Sequence, residues 1–335
     1  MQYKILFDFR EDINPLGVSK RVKNSLRKSI KHIESYDPYA VIRFISHLAR
    51  LYKVHEDNIV VGNSITHIFS EILKMIKPET VLVPSPVSNY YRFFLDKAGR
   101  KILPYFTSIN EDTYFYIDEL NELIDKSNLI LFPNPHNITG KILNKQQIEE
   151  VIAISEENKK FILFDESLIE FTDAVSYAEC VVRSDYSLIM RTFSTYHSMA
   201  GLPLGYVIGS AASINYIKSV LGPCCDAVPA ISCYAAIVST KDKAYRKRTF
   251  EYIATEKDYI KKRLKNNRYI KIIDRGCNFL LLEITGDFNV IHDVFYKRGI
   301  IVDLYHEEER SFIRLPVKRH KDNAYLVKSL LRLEG

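Results

Sequence analysis

Between Lys160 and Lys218 the chain has no lysine, although 47 lysines and arginines are spread over its 335 residues. It also lacks any apolar run approaching the roughly 18 residues that a membrane span needs. The opening stretch, MQYKILFDFRED, has no long apolar segment of the kind a secretory signal carries. Together these absences lead to the expectation of a cytoplasmic protein with no membrane role. Cysteine is scarce: Cys180, Cys224, Cys225, Cys233 and Cys277 make an odd set with no CxxC spacing. That argues against both a disulfide framework and a cysteine zinc centre, so no metal is expected. The adjacent Cys224–Cys225 pair reads as idle thiols in preference to a redox couple. No internal repeat and no low-complexity linker interrupts the chain.

What is present is ordinary in bulk and informative in pattern. Hydrophobic content of 47% and charged content of 26% are those of a globular protein large enough for a substantial core. Much of the +6 net charge lies in residues 241–271. There the basic residues alternate with Tyr252, Ile253, Tyr259, Ile260 and Leu264 at helical intervals. This is the solvated face of an amphipathic helix, not the gathered basic and aromatic surface that nucleic acid requires. Short apolar runs alternate with helix-length segments: NIVVG (58–62), TVLVPSP (80–86), LILFPNP (129–135), KFILFDES (160–167), YSLIMRTFS (186–194) and GYVIGS (205–210). Such spacing predicts a mostly parallel sheet covered on both faces. Ligands of such sheets sit beyond the C-terminal strand ends, where Ser85 to Ser88, Asn134 to Gly140, Asp165 and Ser194 fall. After residue 271 the order strand, helix, strand, strand, helix predicts a small α/β domain. The expected division is an N-terminal segment, 1–30, packing across both domains, a large domain, 31–235, and a small one, 236–335.

Five motifs then occur in one order: DINPLG (12–17), GNSIT (62–66), PNPHNITG (133–140), FDES (164–167) and RTFS…MAGLPLGY (191–206). Together they resemble the fold-type-I pyridoxal-phosphate (PLP) enzymes, class I/II aminotransferases. The nearest branch is that of histidinol-phosphate aminotransferase and threonine-phosphate decarboxylase. The resemblance covers essentially the whole chain. It implies a three-layer large domain with a mostly parallel sheet and a small C-terminal α/β domain. In such enzymes the cofactor is an electron sink, and the protein supplies a lysine and an acidic partner for the pyridine nitrogen. The resemblance implies that Asp165 is that acid and that Asn137 bonds the ring oxygen. It implies that Thr66, Thr192 and Ser194 belong to the phosphate cup. Tyr36 would reach a neighbouring subunit's cofactor, and Arg314 would clamp a substrate carboxylate through its bidentate fork.

The departures are as specific as the matches. By the same resemblance Thr195 occupies the position of the Schiff-base lysine, and threonine has no amine. Pro203 stands for the phosphate-gripping arginine, a loss of about 1.5–3 kcal/mol in binding. Ser88 stands for the aromatic that stacks on the ring, worth roughly 0.5–1.5 kcal/mol. Leu168 and Ser64 replace a tyrosine and a glycine. Loss of several cofactor contacts in company points to natural divergence, not to a single trapping substitution. Two functions follow from different classes. One is a non-catalytic or repurposed member, a homodimer or the partner of an active homologue, with Tyr36 acting in trans. The other is an enzyme holding PLP or pyridoxamine phosphate non-covalently, with His197 as the base, acting on an amino acid or amino phosphate. Lysine-free relatives among the sugar-modifying members of the fold use a histidine in that way. On the first reading there is no covalent PLP chemistry, and the cofactor is expected to be non-covalent or absent.

Overall fold

The apolar runs become strands because they are β-branched, short and buried on both faces, which removes the alternation seen in half-exposed sheets. The computed structural model describes residues 7–107, 109, 114–221, 228–307 and 310–332. Cys224 and Cys225 lie outside the described residues. Two compact units are present. The larger comprises Val18–Asn137 and Lys141–Asp242; the smaller comprises the residues up to Gly17, Ile138–Gly140 and those from Lys243 onward. The division falls between Asp242 and Lys243. Residue 235, the expected boundary, lies inside the helix Ala230–Thr240 of the larger unit.

In the larger unit a seven-stranded sheet runs in the order Ile59–Gly62, Gly205–Gly209, Ser187–Thr192, Phe161–Asp165, Leu129–Pro133, Thr80–Ser85, Lys101–Phe106. The last five pair in parallel. Gly205–Gly209 runs antiparallel to both its neighbours. The sheet is therefore mixed but mostly parallel, with an apolar layer on each face. One layer includes Phe44, Leu48, Phe132 and Phe164. The other includes Ile68, Ile72, Tyr91, Leu131 and Leu163. The antiparallel strand approaches the helix Ile65–Ile76 closely: a Cβ on Gly205 would lie 2.7 Å from the Ile65 nitrogen. Only glycine allows that contact without a shift of backbone.

The smaller unit is built on a four-stranded antiparallel sheet in the order Asp303–Glu307, Arg310–Pro316, Phe279–Ile284, Ile270–Ile273. Phe9, Ile260, Leu280, Leu282, Ile313, Leu326 and Leu330 fill its core. Two local expectations change here. The basic segment is helical only over Lys243–Leu264, and Ile270–Ile273 leaves it to join the sheet edge. The run 299–305 is two strands: Ile300–Ile301 pairs with Phe7–Asp8, and Asp303–Glu307 pairs with Arg310–Pro316. Each half is recruited by a different partner, which periodicity along one segment does not reveal.

Candidate functional site

Asp165 ends the strand Phe161–Asp165 and is only 6% exposed. Burial pushes its carboxyl above the usual range, and hydrogen bonds from Ser167 and Tyr91 offset part of that. The Ser167 amide donates to Oδ1 at 2.9 Å, and the Ser167 hydroxyl donates to the same oxygen. The Tyr91 hydroxyl donates to Oδ2 at 2.5 Å. Tyr91 reaches it because Ser88 caps the helix Asn89–Lys97, its Oγ accepting from the Tyr91 nitrogen at 3.3 Å. The Asn137 side chain also hydrogen-bonds the Tyr91 hydroxyl. One tyrosine thus joins the two residues, Asp165 and Asn137, that sequence reasoning placed at a ring-binding site.

Thr195 lies against the same group: its hydroxyl donates to the Ser167 carbonyl at 2.7 Å. Of the hydroxyls expected at a phosphate cup, that of Thr192 is engaged locally. Thr192, buried at the end of Ser187–Thr192, accepts from the Ser194 nitrogen at 3.1 Å. Ser64 caps Ile65–Ile76 by accepting from the His67 nitrogen at 3.0 Å. Thr66 is in the first turn of that helix and half-buried, as are Ser194 and Pro203 in the loop after Thr192. Tyr36 stands apart at the surface, 77% exposed, in a groove that also carries Ile33, Asp37 and Tyr234.

Glu166, the next residue after Asp165, turns to the opposite face of the sheet. There it joins a buried ionic cluster that sequence reasoning missed. Arg191 Nη1 lies 3.5 Å from Glu166 Oε2, and Nη2 lies 2.6 Å from Glu170 Oε1. The guanidinium also faces the Tyr52 ring at 5.2 Å. Burial pushes the Glu166 carboxyl up to about 7 against the pull of Arg191. Burial would also raise Glu170, but Arg191 and His197 outweigh it and hold that carboxyl low. His197 belongs to this cluster: Nε2 is 3.8 Å from Glu170, Nδ1 is 2.5 Å from the Ser239 hydroxyl, and the ring stacks on Phe193. The available signal was an arginine inside the apolar run LIMRT and a second acid after Asp165.

Arg314 belongs to the smaller unit. It is 3% exposed, its guanidinium stacks 3.9 Å from the Phe279 ring centre, and Nη2 donates to Asp12 Oδ1 at 2.7 Å. Among the described residues no group of three or more His, Cys, Asp or Glu side chains has the arrangement of a metal site. No helix of these residues is long and apolar enough to cross a membrane.

A large unit with a mostly parallel seven-stranded sheet and a buried acid at a strand end, together with a small antiparallel unit, defines the PLP-transferase class of fold. The model of the family "Aminotransferase class I and II" matches residues 4–330, and the chain belongs to that family, which is PLP-dependent. A histidinol-phosphate aminotransferase of Caldanaerobacter subterraneus is 26% identical over 338 residues, covering 98% of this chain and 92% of the relative. The structure of histidinol-phosphate aminotransferase from Sinorhizobium meliloti in complex with pyridoxal-5'-phosphate superposes with a TM-score of 0.85 at 16% identity, covering 98% of this chain and 92% of that one. That of L-threonine-O-3-phosphate decarboxylase from Porphyromonas gingivalis gives 0.77 at 16% identity, covering 98% of this chain and all of the other.

The residues fit the family cofactor in one part only. A carboxylate offers about four acceptor positions. Among the described residues three are used at Asp165, by Tyr91 and twice by Ser167, which leaves one for a protonated ring nitrogen. At the position expected for the lysine Thr195 has a hydroxyl and no amine, and at the position expected for the arginine Pro203 has no side-chain donor.

Proposed function

We propose that this chain is a class I/II aminotransferase relative, of the histidinol-phosphate aminotransferase and threonine-phosphate decarboxylase kind, that works without a lysine-linked cofactor. On this reading it is a cytoplasmic, repurposed protein that pairs with a second copy or with an active homologue, and its own chemistry is lost. The observation that carries the proposal is the Thr195 hydroxyl, which donates to the Ser167 carbonyl at 2.7 Å beside Asp165. A hydroxyl tied to backbone there neither attaches a cofactor nor shuttles a proton as an amine would. The exposed Tyr36 supports a contribution made in trans, since active sites at two-fold interfaces take residues from both subunits.

A second reading is favoured by the acceptor position left on Asp165 and by the coupling of Asn137 to the same tyrosine. On it, PLP or pyridoxamine phosphate binds non-covalently, and the chain acts on an amino acid or amino phosphate. A buried carboxylate without a cationic partner is costly, so its retention speaks for a ligand bearing an N–H cation. A calorimetric titration with each compound decides between the two. Micromolar binding that Asp165→Ala abolishes establishes the second reading. No heat at millimolar compound establishes the first and directs attention to a partner protein.

A further inference from the structure

The smaller unit buries a cation and answers it from the far end of the chain. Arg314 sits within the strand Arg310–Pro316, with its side chain 4% exposed, stacked on Phe279. Its Nη2 donates to Asp12 Oδ1 at 2.7 Å, and Asn278 Nδ2 donates to the same oxygen at 3.0 Å. Lys318 is close by. Its Nζ donates to the Glu11 carbonyl at 2.6 Å, and burial depresses its pKa while Asp12 pulls it back up. One guanidinium and one amide therefore converge on a single carboxylate oxygen, with the charge of Lys318 nearby. That is the donor set a carboxylate ligand requires: a planar fork, a second hydrogen bond and nearby positive charge. A buried guanidinium left without an anion is strongly unfavourable, so something must fill the place.

The occupant is held by its surroundings. Phe9, three residues earlier, is fully buried in the core of this unit, and the Asn14 side chain donates to Thr249 at 3.0 Å. The Asp12 side chain is 18% exposed, against 4% for Arg314. We infer that Arg314, Asn278 and Lys318 form a carboxylate cradle whose resident occupant is the chain's own Asp12, so that a free carboxylate such as that of an amino acid enters only when Asp12 gives way. The inference goes beyond the proposed function. It takes from the family resemblance only the carboxylate reading of Arg314 and requires no cofactor, so an acetate titration tests it separately. A tethered carboxylate competes at an effective concentration in the millimolar range or above. Free carboxylate at lower concentration is therefore excluded from the intact protein.

The test uses the full chain with Asp12→Ala and Asp12→Asn, melted in sodium acetate and in sodium chloride of equal ionic strength. Acetate should raise the melting temperature of Asp12→Ala by roughly 2–5 °C more than chloride does. The wild type should respond equally to both salts. Asp12→Asn keeps an oxygen against Arg314 but loses the charge. By calorimetry it should bind acetate at least about tenfold more tightly than the wild type. Adding Arg314→Gln to either variant should remove the effect. If Asp12→Ala does not fold, Asp12→Asn carries the decision. Equal acetate affinity in Asp12→Asn and wild type overturns the inference. So does an Asp12→Ala protein that acetate and chloride stabilise alike, which is the behaviour of a purely structural ion pair.

Discussion

Glu166→Gln should make this protein less sensitive to pH and more stable in mild alkali. Glu166 is 1% exposed, with Arg191 at 3.5 Å as its ion-pair partner, while Arg191 makes its shorter contact, 2.6 Å, with Glu170. Burial lifts the Glu166 carboxyl from 4.5 to about 7. A carboxyl raised in the folded state contributes stability that is fully present below its unfolded value and is lost as pH rises through its folded value. The window is therefore about pH 4.5 to 7. At 1.36 kcal/mol per pKa unit, the loss between pH 5 and pH 8 is roughly 2–3 kcal/mol from this residue alone. Glutamine imitates the protonated acid in shape and has no charge to bury, so it removes that slope. Glu170, held low by Arg191 and His197, loses its contribution only in more acidic solution and leaves this window untouched. The measurement is urea unfolding of wild type and variant at pH 5, 6, 7 and 8. The difference between them should be small at pH 5 and should grow to favour the variant at pH 8. Parallel curves, or a variant weaker by the same amount at every pH, would refute the claim that Glu166 is buried as an acid poised near neutrality.

Two further substitutions probe the frame around Asp165. Tyr91→Phe removes the donor to Oδ2 and should cost about 1–3 kcal/mol. Its cost should grow as pH rises above the ordinary aspartate range, because Asp165 is already raised and loses a bond to its charged form. Melts at pH 5 and pH 8 check this, and a pH-independent cost would show that Tyr91 matters only for packing. Gly205→Ala would set a Cβ 2.7 Å from the Ile65 nitrogen. Overpacking against backbone should cost roughly 1–3 kcal/mol, visible as a lowered melting temperature; a neutral outcome would contradict the close strand–helix approach.

The antiparallel order of the small sheet came from the structure and Asn137 from the family resemblance, whereas the chain's pattern was sufficient for the strand-end placement of Asp165 and for the mostly parallel sheet. Those features follow from local composition: apolar β-branched runs, turn residues at their ends and amphipathic helices between them. Ser88 and Ser64 are equally local, since a serine ahead of a helix is a cap whatever else surrounds it. The Arg191 cluster needed the tertiary structure. Glu166, Glu170, Arg191 and His197 are spread over three segments, and only the pleat of the strand decides that Asp165 and Glu166 serve opposite faces. The Asp12–Arg314 pair is the extreme case, its partners 302 positions apart. An acid near one end and an arginine near the other are unremarkable as letters. Their meeting is decided by the pairing of Phe7–Asp8 with Ile300–Ile301 and by the burial of Phe9. Periodicity reports which side of an element is apolar. Which charge faces which across that apolar layer is set by the packing of distant elements, and desolvation there gives the pairing its consequence.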